Sequence, residues 1–213
     1  AALELGRSAT KDEDNADIAL LRVVYCEGGV DALRRYLALA HLDQSPHSVA
    51  LFEAAYSRLL LGDVSAVRNL IARAVAAPDR TPGLAESPFY ARGAGAVGTS
   101  YRVDLAAADL ALGNRDSARQ ELSSVLAMLD GMIAAGVERN ATYELRAKVY
   151  ALLGRGDDAM RDLGKAVTLG WRRAWWATHE PYFASLRQRS DFRDLMAQVN
   201  LSNDELAKSI QAD

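Results

Sequence analysis

Apolar residues recur along this chain three and four positions apart, the spacing of one face of a helix. The stretch 142–169 shows the pattern most cleanly. Leu145, Val149 and Leu152 fall on one face, with Ala147 as a small contact point, and Gly154 ends the run. Asp157 or Asp158 is placed to cap a following helix, whose inward face is Ala159, Leu163, Ala166 and Val167. The pattern predicts a helical hairpin.

Upstream the same rhythm repeats. Thr10-Lys11-Asp12-Glu13 matches a capping box. It opens a helix with Ile18, Leu21, Val24 and Tyr25 inward, broken at Gly28-Gly29 and followed by one with Ala32, Leu33, Leu37 and Ala40. Ser45-Pro46 reads as the next start, because serine can cap and proline suits the first turn. That helix carries Leu51, Ala54, Ala55, Tyr56 and Leu59 to Gly62-Asp63. Its partner runs from Val64 to Ala77, with Val67, Leu70, Ile71, Ala74 and Val75 inward, and ends at Pro78.

Residues 78–98 break the rhythm with Pro78, Pro82, Pro88, Gly83, Gly93, Gly95 and Gly98. They predict a long loop with one short helix after Ser87-Pro88, serving either as a binding element or as a packed insertion. The pattern resumes at Thr99. One helix carries Val103, Ala106, Ala107 and Leu110 to Gly113-Asn114. Another starts near Asp116, carries Ala118, Leu122, Val125, Leu126, Leu129 and Ile133, and closes at Gly136. Asn140 is placed to cap the helix after it.

The glycines between paired helices, Gly28, Gly62, Gly113 and Gly154, set a common frame. Five residues later stand Leu33, Val67, Ala118 and Ala159; nine later Leu37, Ile71, Leu122 and Leu163; twelve later Ala40, Ala74, Val125 and Ala166. Seven before the last three glycines stand Ala55, Ala106 and Ala147. A small residue there lets two helices approach, while the large positions fill the space between hairpins. Gly28 and Gly62 are 34 residues apart, the period of a tetratricopeptide repeat. The next gap, 51, is lengthened by the loop; the last, 41, by a longer second helix around Asp130–Ala135.

On these residues the chain resembles the tetratricopeptide repeat (TPR) family, most clearly at Leu152-Leu153-Gly154-Arg155-Gly156-Asp157-Asp158-Ala159 with Ala166 after it. The repeats fall at about 14–47, 48–81, 99–132 and 140–173. The family's tryptophan early in the first helix is absent, and a closing proline stands only near Pro78. The resemblance implies an all-α, right-handed superhelix of helical hairpins forming one α-solenoid domain over 1–213. It implies non-catalytic binding of a protein or peptide segment on the concave face. Residues beside the small frame positions are the contacts it selects: Tyr56, Arg58, Arg102, Asp109, Glu144 and Tyr150.

The tail, 174–213, resembles the segment that closes repeat arrays in bacterial signalling proteins. Gly170, Pro181-Tyr182-Phe183-Ala184-Ser185-Leu186-Arg187 and Asp191-Phe192-Arg193-Asp194-Leu195-Met196 carry that likeness. Phe183, Leu186, Phe192, Leu195 and Val199 are expected to cover the open end of the stack. Ser202-Asn203-Asp204-Glu205 predicts a separate final helix.

Composition narrows the function. Half of the 213 residues are hydrophobic and a quarter are charged, enough for a sizeable core. The net charge of −3 creates no global attraction to nucleic acid or anionic lipid. No apolar run is long enough for a membrane span. The single cysteine, Cys26, excludes an internal disulfide framework. The start at Ala1-Ala2-Leu3 suggests a piece of a longer protein or one that has lost a leader, cytoplasmic, or periplasmic if a membrane segment precedes it. Arginine far outnumbers lysine, found only at 11, 148, 165 and 208, which with the abundant alanine suggests a GC-rich bacterial genome.

Catalytic and metal chemistry find no support in the motifs, and no cofactor is expected. His41, His47 and His179 do not form a ligand set. The glycines at 93, 95 and 98 spell a dinucleotide-loop pattern but follow no strand, so a hinge fits better. Trp171-Arg172-Arg173-Ala174-Trp175-Trp176 is the most unusual chemistry. Either the indoles pack against the last repeat while the arginines stay wet, or Arg172, Arg173, Trp175 and Trp176 form a ligand or partner surface. The expectation is an interaction or regulatory module of a larger bacterial signalling protein. The alternative is a small-ligand sensor with its pocket at the 78–98 loop and the 171–176 corner.

Overall fold

The computed structural model describes residues 29–39, 41–78 and 101–212. The readings at Thr10–Glu13, Ile18–Gly28, Ala40 and nearly all of the 78–98 loop lie outside these residues. All regular structure among the described residues is helical, as the apolar spacing predicts. We number the helices α1 (29–39), α2 (Ser48–Leu60), α3 (Val64–Ala76), α4 (Tyr101–Ala111), α5 (Arg115–Ala134), α6 (Asn140–Leu152), α7 (Gly156–Thr168), α8 (Ala174–Ala177) and α9 (Ser190–Ala212). Short 3-10 turns stand at Leu42–Gln44 and Pro181–Phe183. The backbone divides into two compact units, one ending at Ala118 and one beginning at Arg119.

The N-terminal unit is built on the α2–α3 hairpin. Leu51, Ala54, Ala55, Tyr56 and Leu59 of α2 are buried, as are Val67, Leu70, Ile71 and Ala74 of α3. Gly62 turns the chain between them at φ 75°. The Gly62 and Asp63 amides donate back to the carbonyls of Leu59 and Arg58. This Schellman closure satisfies carbonyls that a helix end leaves bare, and its left-handed residue strongly favours glycine. The same pair of bonds closes α4 at Gly113 and α6 at Gly154. In α4, Val103, Ala106 and Ala107 are buried. Arg68 of α3 grips both oxygens of Asp109 of α4, at 2.6 and 2.8 Å.

The C-terminal unit packs α6 against α7 with the tail folded over them. Ala147, Ala159 and Ala166 are fully buried, as are Leu145, Val149 and Leu163. Leu152 and Val167 are only half-buried. Arg146 holds the hairpin from outside, gripping both oxygens of Asp162 at 2.6 and 2.9 Å and Asp130 at 2.7 Å. Trp171, Phe183, Leu186, Phe192, Met196 and Val199 join Ala147, Ala159, Leu163 and Ala166 in one apolar cluster. The tail thus covers this hairpin and belongs to its core. Outside that core, Arg189 bonds Asp157 at 2.8 Å and Asp191 at 2.8 Å. Gly156 leaves room for this approach, because a Cβ there would come within 2.7 Å of the Arg189 guanidinium.

Several start signals work differently from the expectation. The helix expected from Ser45-Pro46 begins at Ser48, and the Ser45 hydroxyl accepts the His47 amide within the preceding turn. Neither Asp157 nor Asp158 caps α7; Asp158 accepts from Arg155 and Arg161, and Asp157 from Arg189. Asn140 does not cap α6 but donates to the Leu169 carbonyl, tying its start to the end of α7. The Ser202–Glu205 box opens nothing, since α9 runs unbroken for 23 residues. At Asp157, Asp158 and Asn140 an arginine or a carbonyl outcompetes the local amide for the side chain.

Phe192→Ala should lower the stability of the full chain by about 3–5 kcal/mol in urea unfolding. Leu201→Ala, on the exposed outer part of the same helix, should change it by less than about 0.5 kcal/mol. Equal effects from the two variants would mean that the tail is not part of the core.

Candidate functional site

The sequence places an aromatic-basic cluster right after α7, and the structure sorts it by burial. Gly170, at φ 92°, ends α7 and turns Trp171 inward, where it is 2% exposed. Trp176 is 1% exposed, while Trp175 keeps 45% of its surface open. The two rings meet edge-on at 5.6 Å and 63°. Arg172 lies outside and donates to the carbonyls of Trp171 (2.9 Å) and Val167 (3.2 Å), where a cation complements the negative helix end.

Beneath this corner lies a buried charge network. The Lys148 ammonium is fully enclosed, 2.8 Å from Glu180 and 3.1 Å from Glu144. Glu144 also takes Arg173, and Glu180 accepts the Trp176 indole N–H at 3.1 Å. The rings of Tyr182 and Phe183 stand 5.3 and 6.0 Å from the ammonium. Two carboxylates face two cations, so the network is neutral as a whole. Such a cluster repays desolvation only if every member stays in place, so it ties α6, α8 and the Pro181 turn together.

The tail adds a groove of about 390 Å³ lined by Thr178, Arg187, Phe192, Arg193, Met196, Ala197 and Asn200. Phe192 and Met196 are largely buried, so only their edges reach the opening. Arg187 is pinned by bonds to the carbonyls of His179 (2.9 Å) and Glu180 (2.7 Å), and its Nε is buried without an acceptor. Arg193 is exposed and forms no ion pair among the described residues. On the wall, Thr178 donates to the Trp175 carbonyl at 2.9 Å, which links groove and exposed indole through one turn of chain.

The N-terminal unit holds a second hollow, about 300 Å³, lined by Arg34, Leu37, Ala38, Arg58, Leu61 and Asp63. Its arginines are already in ion pairs, although the Arg58 Nε, like that of Arg187, is buried without an acceptor. Arg58 pairs with Asp43 and Asp63, whose carboxylates raise its pKa despite burial, and Arg34 pairs with Asp31 at 3.2 Å. The C-terminal groove has cations on its lining and no carboxylate. It is the stronger candidate.

The residues that the repeat frame selected are dispersed. Tyr56 is 1% exposed, and Arg102 is half-buried. Asp109 is 2% exposed and accepts from Arg68, Asn114 (3.3 Å) and Ser117 (3.0 Å). Burial pushes its pKa up, but these donors outweigh it and hold the carboxyl below its usual value. Glu144 belongs to the buried network. Tyr150 is 7% exposed, with the Arg155 guanidinium 4.4 Å over its ring. Sequence reasoning missed Lys148, Glu180, Arg187 and Arg193. Glu144 and Lys148, one helical turn apart on an apolar face, carried a trace of the network; the groove left none. Among the described residues no His, Cys, Asp and Glu side chains gather as metal ligands, and no helix is long and apolar enough to cross a membrane.

Lys148→Met should cost about 3–5 kcal/mol in urea unfolding, because it strands buried carboxylates. Adding Glu180→Gln should recover part of that loss; strict additivity would show that the pair is not coupled. Asp109 has a depressed folded pKa, so its contribution is complete above the unfolded carboxyl value of about 3.9 and is lost as pH falls through the folded one. Asp109→Asn should therefore flatten the acid limb of the stability profile, with both proteins followed by circular dichroism from neutral pH downward.

No protein-family model, curated protein or solved structure matches this chain.

Proposed function

We propose that this chain is a non-catalytic, TPR-like interaction module, a right-handed superhelix of helical hairpins, that regulates a larger bacterial signalling protein by binding a protein or peptide segment. The spacing of the hairpin glycines supports the repeat reading, and the burial of Ala55, Ala106 and Ala147 at equivalent positions agrees with it. The observation that carries the binding role is Trp175. A large aromatic left 45% exposed beside a buried tryptophan, on backbone fixed by bonds from Thr178 and His179, is a preorganised anchor. Interfaces concentrate their energy in such residues. The reading moves the contact surface from the enclosed Tyr56, Asp109, Glu144 and Tyr150 to the corner at 172–178.

A small-ligand sensor is the second reading. The groove volume of about 390 Å³ favours it, lying within the range of small-molecule sites. The groove lies beside the 171–176 corner that the sensor reading names.

Trp175→Ala should leave the urea midpoint nearly unchanged, whereas Trp176→Ala should lower stability by about 3–5 kcal/mol. The immobilised 213-residue chain should capture a partner from bacterial lysate, and Trp175→Ala should weaken that capture at least about tenfold. A metabolite that shifts the melting temperature strongly, with no protein captured, would overturn the interaction reading in favour of the sensor.

A further inference from the structure

We propose that the groove of the C-terminal unit docks an acidic peptide segment through one apolar anchor residue and a neighbouring carboxylate. This rests on the interaction-module reading and names the partner's chemistry. The charge of the lining comes first. Arg187 and Arg193 face no carboxylate in the groove, although the chain as a whole carries −3. Glu180, two residues beyond Thr178, is fully buried and its carboxylate already takes Lys148 and Trp176; of the exposed acids that flank Arg193 on its helix, Asp191 is taken by Arg189, and neither it nor Asp194 lines the groove. The lining itself thus carries positive charge only, which favours a negative group on the part of a partner that enters it.

The donors come next. Arg187 is held rigid by two carbonyls, yet its Nε is buried without an acceptor. What Arg187 offers the groove is a fixed positive charge, since the two carbonyls hold its guanidinium in place. Arg193 is unpaired among the described residues and offers a planar fork suited to a carboxylate. Asn200 makes no side-chain hydrogen bond among the described residues, leaving its amide for a peptide backbone.

The apolar part completes the fit. The edges of Phe192 and Met196 form the groove's floor, and the exposed Ala197 stands at its side. A groove of this size takes one or two side chains, not a folded domain. Its concave apolar walls and few cations suit a peptide better than a nucleic acid, which needs a track of phosphate contacts.

The test is selection of random phage-displayed peptides on the immobilised full chain. The probe for affinity is a fluorescein-labelled, amide-capped peptide with one phenylalanine flanked by glutamates. Selected peptides should pair Asp or Glu with Phe, Leu or Met. Probe affinity should fall at least about tenfold with Arg193→Glu or Ala197→Trp, and should weaken with added salt. Arg161→Glu, an exposed charge reversal elsewhere in the C-terminal unit, should have no effect, and all three variants should melt like the parent. Enrichment of basic peptides, no enrichment, probe binding indifferent to Arg193→Glu and Ala197→Trp, or stronger retention of a single-stranded oligonucleotide than of the probe would each overturn the proposal. A partner captured through Trp175 but indifferent to both groove variants would sink the groove and leave the module reading intact.

Discussion

The C-terminal unit depends on keeping a lysine dry. Lys148 projects from the middle of α6 into the same interior as Phe183 and Tyr182, and it survives there because Glu144 and Glu180 meet it. Each of those acids has a second partner, Arg173 or Trp176, so losing one member would leave another buried charge exposed to a poor environment. Burial of Phe183, Leu186 and Phe192 seats the apolar tail on the hairpin. The ion pairs of Lys148 with Glu144 and Glu180 add a directional tie between α6 and the chain just before Pro181. The position of α8 and of the turn after it follows from that, and with them the outward pose of Trp175.

The N-terminal unit uses a lighter version of the same device. Asp109 sits under the turn after α4 and accepts from a neighbouring helix as well as from its own loop. Arg146 does the corresponding work in the C-terminal unit, reaching two helices from one side chain. These clips lie across helix pairs whose apolar contacts are mostly alanine and leucine. Such contacts are tolerant of small rotations, so polar clips set the angle that packing alone leaves loose.

Much of the helical layout could be read from the chain because it is written locally. A glycine at the end of an apolar face predicts a left-handed closure, and Gly62, Gly113 and Gly154 behave so. Inward positions such as Leu163 and Ala166 follow from spacing alone. Helix starts were read less well, because Asp158 and Asn140 found partners beyond the nearest amide. The candidate site was legible only in part. Trp171 to Trp176 stood out by composition, yet which indole faces outward is set by an acid in the following turn. The groove joins Thr178 to Asn200 across a turn and a helix, a pairing with no local signature. The frame-selected contacts illustrate the limit most clearly: proximity to a small position predicted accessibility, but that same proximity drew Tyr56 and Glu144 into the interior.

The long last helix has a further consequence. Its first half is pinned by Phe192, Met196 and Val199, and among the described residues Asn203 makes its last side-chain tie to the rest of the unit, to the Arg172 carbonyl. Leu201 and Leu206 beyond Val199 lie open. The helix is therefore continuous in hydrogen bonding but not in cooperativity. Backbone amides in its first half open only with the core, whereas those toward Ala212 open by fraying, so hydrogen exchange divides one helix between two timescales. The groove reaches Asn200, close to that division, and an occupant there would move the boundary outward along the helix.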